Sequence, residues 1–177
     1  MGENKLLLPY KGKTIIETVI EHALDAFPDI TVVTGHDKER LEDALSKYDI
    51  DLVYNPMYLE GQRSSTLRGI ESIGDDDFAI LPGDLPLIRK EDLEGTEQLL
   101  ENHEIARAVH SGIPGHPVMY RKELRKHLLA FKGSMKEYLA LYNVGSYNAS
   151  LGTVYDIDTQ ERYQALLRGN ADISLLR

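Results

Sequence analysis

The sequence predicts an α/β sandwich with a mostly parallel sheet, and three observations carry that expectation. Short apolar or β-branched runs, Ile30 to Thr34, Ile50 to Tyr54 and Phe78 to Leu81, alternate with segments whose apolar residues recur at helical spacing. Turn formers close each run: Gly35, Asn55-Pro56 and Pro82-Gly83. Strand, helix and strand in such quick succession call for a parallel pair with a right-handed crossover.

The first helix spans Thr14 to Phe27, where Ile16, Val19, Ile20, Ala23, Leu24 and Phe27 form one apolar stripe. Thr14 and Glu17 supply a capping box, and Pro28 stops the helix. The strand Ile30 to Thr34 follows, then a helix from Asp37 with Leu41, Ala44, Leu45 and Tyr48 inward, then the strand Ile50 to Tyr54. Residues 57–63 form a loop into Ser64-Ser65 and a helix carrying Leu67, Ile70 and Ile73. Phe78 to Leu81 reads as a short buried strand, and after Pro86 a polar helix runs from Lys90 to Asn102. Ile105 to Val109 is a further strand. His110 to Pro117, with two glycines and two prolines, is expected to be a shaped loop that leads into Val118-Met119-Tyr120. Helices follow at Lys122 to Phe131 and Ser134 to Tyr142. Thr153 to Asp158 reads as a last strand ending in an acid, and Thr159 caps a terminal helix with Tyr163, Leu166 and Leu167 inward. No repeat or linker interrupts this order, so residues 1–177 are expected to form one domain.

Composition narrows the function. With 20 basic and 29 acidic residues the net charge is −9, which excludes bulk attraction to nucleic acid or an anionic membrane. A phosphate ligand must therefore be met by local cations or a metal. The absence of cysteine excludes disulfides, thiolate metal sites and cysteine nucleophiles, and fits an intracellular protein. No apolar run approaches the length of a membrane span, and the start Met-Gly-Glu-Asn-Lys carries no signal-peptide core, so a cytoplasmic protein is expected.

Three places carry candidate chemistry. Asp84 follows a buried strand through Pro82-Gly83, at the strand end where α/β sheets bind ligands. A carboxylate there suits magnesium, although Gly-Asp after a strand also reads as a plain turn. Gly61, the hydroxyls of Ser64 and Ser65, and Arg63 with Arg68 around a helix start make an anion site, while either serine is equally read as an N-cap. Asp158 is a second strand-end acid able to share a metal with Asp84, or to cap the last helix. The acids Asp75 to Asp77 read as a solvated loop. His110 and His116, six apart in a loop, suit hydrogen-bonding or structural roles rather than metal ligation.

In chain order the motifs are Met1-Gly2-x-x-Lys5-Leu6-Leu7-Leu8-Pro9, Gly61-Gln62-x-x-Ser65, Leu81-Pro82-Gly83-Asp84-x-Pro86, Gly112-x-x-Gly115-His116-Pro117 and Asp156-Ile157-Asp158-Thr159. Together they resemble the MobA-like nucleotidyltransferases, and most closely the molybdenum cofactor cytidylyltransferase branch. The resemblance implies a Rossmann-like three-layer α/β/α sandwich that binds an NTP (CTP or GTP) with Mg2+ and transfers NMP to a phosphorylated acceptor of molybdopterin type, releasing pyrophosphate. It implies that Lys5 contacts nucleotide phosphate as a catalytic residue, and that Gly61, Gln62, Ser65 and Gly83 lie against the nucleotide. Asp84 would hold the metal as the second catalytic residue, with Asp158 completing the site. Gly112, Gly115, His116 and Pro117 would shape the acceptor side.

Two departures from the family pattern stand out. The family opens with a strand and a Leu-Ala-Ala-Gly-x-Ser-x-Arg loop before Met-Gly-x-x-Lys, and this sequence begins at that Met. The first strand and signature loop are thus expected to be missing. Where the family has Gly-Asp-x-Gly-Ala-Arg, this chain has Gly133-Ser134-Met135-Lys136-Glu137-Tyr138. Two rival readings follow: a nucleotidyltransferase that makes a nucleotide sugar or related activated intermediate, and a catalytically impaired nucleotide-binding protein.

Overall fold

The computed structural model describes residues 4–176, so the expected role of Met1-Gly2 lies outside the described residues. In chain order the elements are β1 (Pro9–Tyr10), β2 (Lys13–Thr14), α1 (Ile15–Leu24), β3 (Thr31–Thr34), α2 (Lys38–Leu45), β4 (Asp51–Tyr54), α3 (Gln62–Ser72) and β5 (Phe78–Ile80). Then come α4 (Lys90–Glu97), β6 (Ile105–His110), β7 (Ile113–Tyr120), α5 (Arg125–Ala130), α6 (Met135–Leu139), β8 (Gly145–Asn148) and α7 (Gln160–Leu167).

α1 begins as its sequence dictates. The Thr14 hydroxyl accepts from the Glu17 N–H while Glu17 Oε2 accepts from the Thr14 N–H at 2.7 Å, which satisfies two donors that a bare helix end would leave open. The helix buries Ile15, Ile16, Val19, Ile20 and Ala23. β3 and β4 form the expected parallel pair, Thr31 opposite Asp51 and Thr34 opposite Tyr54. Their apolar side packs with Ile16 and Ile20 of α1 and with Leu41 and Leu45 of α2.

The main sheet corrects the mostly parallel expectation. Its strand order is β5-β7-β6-β8, with β7 antiparallel to both neighbours and only β6 and β8 parallel. The glycine- and proline-dense stretch, expected as a loop, is half of a hairpin. Ser111 and Gly112 form its two-residue turn with both φ positive, the conformation that lets a short turn follow the strand twist. Pro114 and Pro117 are tolerated in β7 because β5 pairs only with Val118 to Tyr120: Pro114 is paired on the β6 side alone, and Pro117 lies at the irregularity where the β6 register shifts.

Residues Thr153 to Asp158 form no strand; Leu151–Thr153 is a 3-10 turn, Val154 continues it as a turn, and residues 155–158 have no ladder partner. Helices cover both faces of the main sheet. Val19 and Ala23 of α1 and Leu93 of α4 pack on Ala106 and Met119, whereas Ile70 of α3, Leu128 of α5 and Tyr138 of α6 pack on Phe78, Ile105, Val118 and Tyr120. Burial of each such side chain stabilises by about 1.5–3 kcal/mol. The three-layer sandwich is therefore as expected.

Candidate active site

Asp84 lies four residues beyond the end of β5, after a turn packed closely against α1. A Cβ at Gly83 would stand 2.6 Å from Ile16 Cδ1, so the end of that side chain would have to shift. Leu85 and Ile88 are buried in the core and fix the chain on the far side of the carboxylate. The backbone carbonyl of Asp84 accepts from the Ile157 N–H at 3.1 Å, bringing the C-terminal segment alongside. Tyr155 and Ile157 are buried in their own cluster with Tyr10 and Ile15. Alternation of an extended chain then turns Asp156 and Asp158 to the opposite side.

Lys5 meets these acids from the other end of the sequence. It opens a 3-10 turn, Lys5–Leu7, whose Leu6 N–H donates to Asn4 Oδ1 at 3.1 Å. Its ammonium donates to Asp84 Oδ2 at 2.5 Å and also to Asp158 Oδ1. Partial burial works against the Lys5 charge, but hydrogen bonds to Asp158 and Asp84 and the charges of both carboxylates hold its pKa above the ordinary value. The Lys5 hydrogen bond in turn holds the Asp158 carboxyl below its ordinary range. Asp156 lies higher than usual, first through burial and then through its hydrogen bond with Asp158, although Arg162 pairs with it. Asp158 is not the helix cap: the Thr159 hydroxyl accepts the Arg162 N–H at 3.2 Å and does that work.

Two carboxylates gathered round one cation are a donor set that suits magnesium or manganese, which take one or two protein oxygens and complete their shell from water and phosphate. Among the described residues no group of three or more His, Cys, Asp or Glu side chains converges on a point. Any ion at Asp84 and Asp158 would therefore draw much of its coordination from substrate.

The second candidate region is differently built. Gly61, at φ 98°, leads into α3 and Gln62 is its first residue, so Ser64 and Ser65 lie inside the first turn and neither is the N-cap. Their hydroxyls are engaged from below. Asn55, almost fully buried, donates from Nδ2 to Ser64 Oγ at 2.9 Å and Ser65 Oγ at 3.0 Å. The Ser64 hydroxyl also lies 2.9 Å from the carbonyls of both Met57 and Gly61. The expected cationic support does not form. Arg63 turns to the carbonyls of Gly133 and Phe131, and Arg68 stands 3.7 Å from Glu71. Arg63 is used to hold the fold, while Arg68 stays at the surface.

On the third side, the Gly112 turn leads to Gly115, where a Cβ would stand 2.4 Å from the Thr153 carbonyl oxygen. Gly115 thus lets β7 close on the C-terminal segment. His116 Nδ1 lies 3.4 Å from the Ile80 carbonyl oxygen, beside the strand that carries Asp84, and Pro117 follows it buried in β7. Burial holds the His116 imidazole below its ordinary pKa. His110 Nδ1 lies 2.8 Å from the Ala149 carbonyl, a structural role as expected. Ser134, in the altered motif, caps α6 in a capping box with Glu137. Asp77 accepts from the Lys122 N–H at 2.9 Å and pairs with Arg121, which keeps the triple-acid loop out of the site.

Sequence reasoning left Asp156, Arg162 and Asn55 out of the site. The alternation Tyr155, Asp156, Ile157, Asp158 held the signal for Asp156, whereas Asn55 before a proline looked only like a turn residue.

Residues 1–145 match the family model of the MobA-like NTP transferase domain. The chain belongs to this family. It is similar over 169 residues, at 27% identity, to the molybdenum cofactor cytidylyltransferase of Escherichia coli K12, covering 92% of this chain and 86% of that protein. The fold is shared with Rv0371c of Mycobacterium tuberculosis H37Rv, at a TM-score of 0.81 and 20% identity over 95% of this chain and 90% of that one. A second structure of Rv0371c is a manganese complex, with a TM-score of 0.77 at 20% identity over 94% of this chain and 93% of that one. CMP:2-keto-3-deoxy-manno-octonic acid synthetase complexed with CTP is also similar, at a TM-score of 0.76 and 19% identity, with 93% and 90% of the two chains covered. MobA-like NTP transferases of this fold are Rossmann-like α/β proteins, and among the described residues no helix is long and apolar enough to cross a membrane.

Proposed function

We propose that this MobA-like protein transfers NMP from CTP or GTP to a phosphorylated small-molecule acceptor of molybdopterin type and releases pyrophosphate. One observation carries the reading: Lys5, Asp84 and Asp158, distant in sequence, form one charged centre at the end of β5. A phosphate oxygen of the acceptor attacks the α-phosphorus, a new P–O bond forms, and the bond to the bridging oxygen breaks, with its electron pair leaving on pyrophosphate. An acceptor phosphate is largely dianionic at neutral pH and needs no general base. The work is positioning and charge neutralisation. Asp84 and Asp158 would hold Mg2+ or Mn2+, which supplies charge neutralisation at the phosphates. Lys5, drawn by phosphate away from the acids, steadies the triphosphate. The α3 start at Gly61, Gln62 and Ser65 offers backbone N–H groups to the nucleotide, with Gly83 beneath it. Gly112 to Pro117 bound the acceptor side.

A second reading, transfer to a sugar-type acceptor, is favoured by the likeness to the synthetase named above. Pyrophosphate release, measured with each of four NTPs and Mg2+ or Mn2+ in the presence of reduced molybdopterin or of a panel of sugar acids and sugar phosphates, separates the readings. Turnover with molybdopterin is expected. Turnover with sugars alone moves the assignment to the second reading, and nucleotide binding without turnover under any condition overturns the enzyme.

A further inference from the structure

A second cation stands near this centre, and the transferase chemistry described above does not use it. Arg107 lies on β6 directly opposite Val118 of β7, and Val118 is opposite Ile80 of β5. The three residues form one row across the sheet, so Arg107 is two strand spacings, about 10 Å, from the strand that delivers Asp84. Alternation places it on the face of Ile105, whose partner is Tyr120. Arg107 Nε is buried and has no hydrogen-bond partner, and among the described residues the guanidinium makes no ion pair. Arg63, Arg125 and Arg162 each satisfy backbone carbonyls instead. A half-buried arginine with an orphaned N–H is costly unless an anion meets it, because desolvation of the cation is not offset. His116, two residues before Val118 on the same strand and with Nδ1 3.4 Å from the Ile80 carbonyl oxygen, feels the charges of both Arg107 and Asp84.

We infer that Arg107 is the anchor for the phosphate monoester of the acceptor, holding it beside His116 and across the sheet from the Asp84 end of β5. The inference rests on the transferase reading for the identity of the ligand, while the anion site itself can be tested alone. A planar guanidinium binds phosphate through two parallel N–H···O bonds, which orients the oxygens as well as attracting them. This separates the negative acceptor from the nucleotide, whose phosphates belong to Lys5 and the α3 start.

The test follows the His116 ring signals by NMR while the full chain is titrated with methyl phosphate against sodium chloride at matched ionic strength. A saturable shift is expected in the natural protein. Arg107→Met should weaken it by at least about tenfold, as loss of hydrogen bonds to a charged group implies, and Arg107→Lys should recover part of it. Arg107→Met should melt no lower than the natural protein, because it removes an unpaired buried cation, whereas a structural arginine would lower the midpoint. No saturable shift in the natural protein, undiminished binding in Arg107→Met, or a lower melting point for that variant would each overturn the inference. Binding of CTP and GTP with Mn2+ to the natural protein is measured alongside. Failure of both nucleotides to bind, with the methyl phosphate response intact, sinks the transferase reading and leaves the anion site standing.

Discussion

The two halves of the proposed nucleotide site are held in opposite ways. At the Asp84 end, side chains far apart in sequence meet through charge: Lys5 bridges residues 84 and 158, and little but that ion pair fixes the carboxylate oxygens. At the α3 start, neighbouring side chains are locked by short-range hydrogen bonds from a buried Asn55, and Arg63 holds carbonyls while Arg68 pairs with Glu71. One half has charge available for chemistry. The other has shape, with backbone N–H groups, the Gln62 amide and the Ser65 hydroxyl hydrogen left to donate. Chemistry should therefore fail at the first half without loss of fold, and fold should fail at the second with smaller loss of chemistry.

The sharpest way to break that contrast is Asp84→Asn. It keeps the Asp84 backbone bond to Ile157 and leaves Lys5 a partner in Asp158, so the melting temperature should move little, while NMP transfer falls by about 10²-fold or more. Pyrophosphate release and a thermal melt on the same preparation check both parts. Near-normal turnover would remove Asp84 from the centre.

Gly115→Ala should show the reverse order of effects. Its new Cβ would meet the Thr153 carbonyl oxygen at 2.4 Å, a backbone atom that cannot swing aside, so a loss of about 1–3 kcal/mol in urea unfolding is expected. Asn55→Ala removes two donors to the serine hydroxyls and the acceptor of the Met57 N–H, and should also cost about 1–3 kcal/mol. Because the loop before α3 then loosens, the KM for NTP should rise more than kcat falls. Equal loss of kcat would show that the serines act in chemistry, against the division drawn above.

How much of this could be read beforehand depends on whether the signal was local. The capping box of α1, the parallel β3/β4 pair and the carboxylate after β5 follow from neighbouring residues, and all three stand where expected. β7 was illegible because its prolines argue against a central strand, and only the shortness of β5 makes them tolerable. β8, Gly-Ser-Tyr-Asn, has no apolar alternation to announce it. Residues 153–158 have that alternation, and it correctly sorts Tyr155 and Ile157 inward, yet no ladder forms beside them. That Lys5, Asp84 and Asp158 belong together was legible as a motif set, and their side chains do meet. The capture of Arg63 by Phe131 and Gly133 was not, since it depends on packing seventy residues away.

The smallest expected effect probes the charge bridge through pH. Asp158 has a folded pKa below its ordinary 3.8, so its contribution to stability is present above that value and is lost as pH falls through the folded pKa. Asp156 is shifted the other way, so it opposes folding once pH rises above 3.8, and that penalty is relieved as pH falls and the group takes up a proton. The two slopes oppose each other. Lys5→Met removes the hydrogen bond that depresses Asp158 and leaves two facing carboxylates, so Asp158 should then titrate higher and its stabilising slope in the acid limb should vanish. Urea midpoints from pH 3 to 6 should accordingly rise less steeply with pH in Lys5→Met than in the natural protein, by an amount below about 1 kcal/mol because Asp158 is exposed and Lys5 only partly buried. An identical pH profile in both proteins would mean that Lys5 does not bridge the acids in solution.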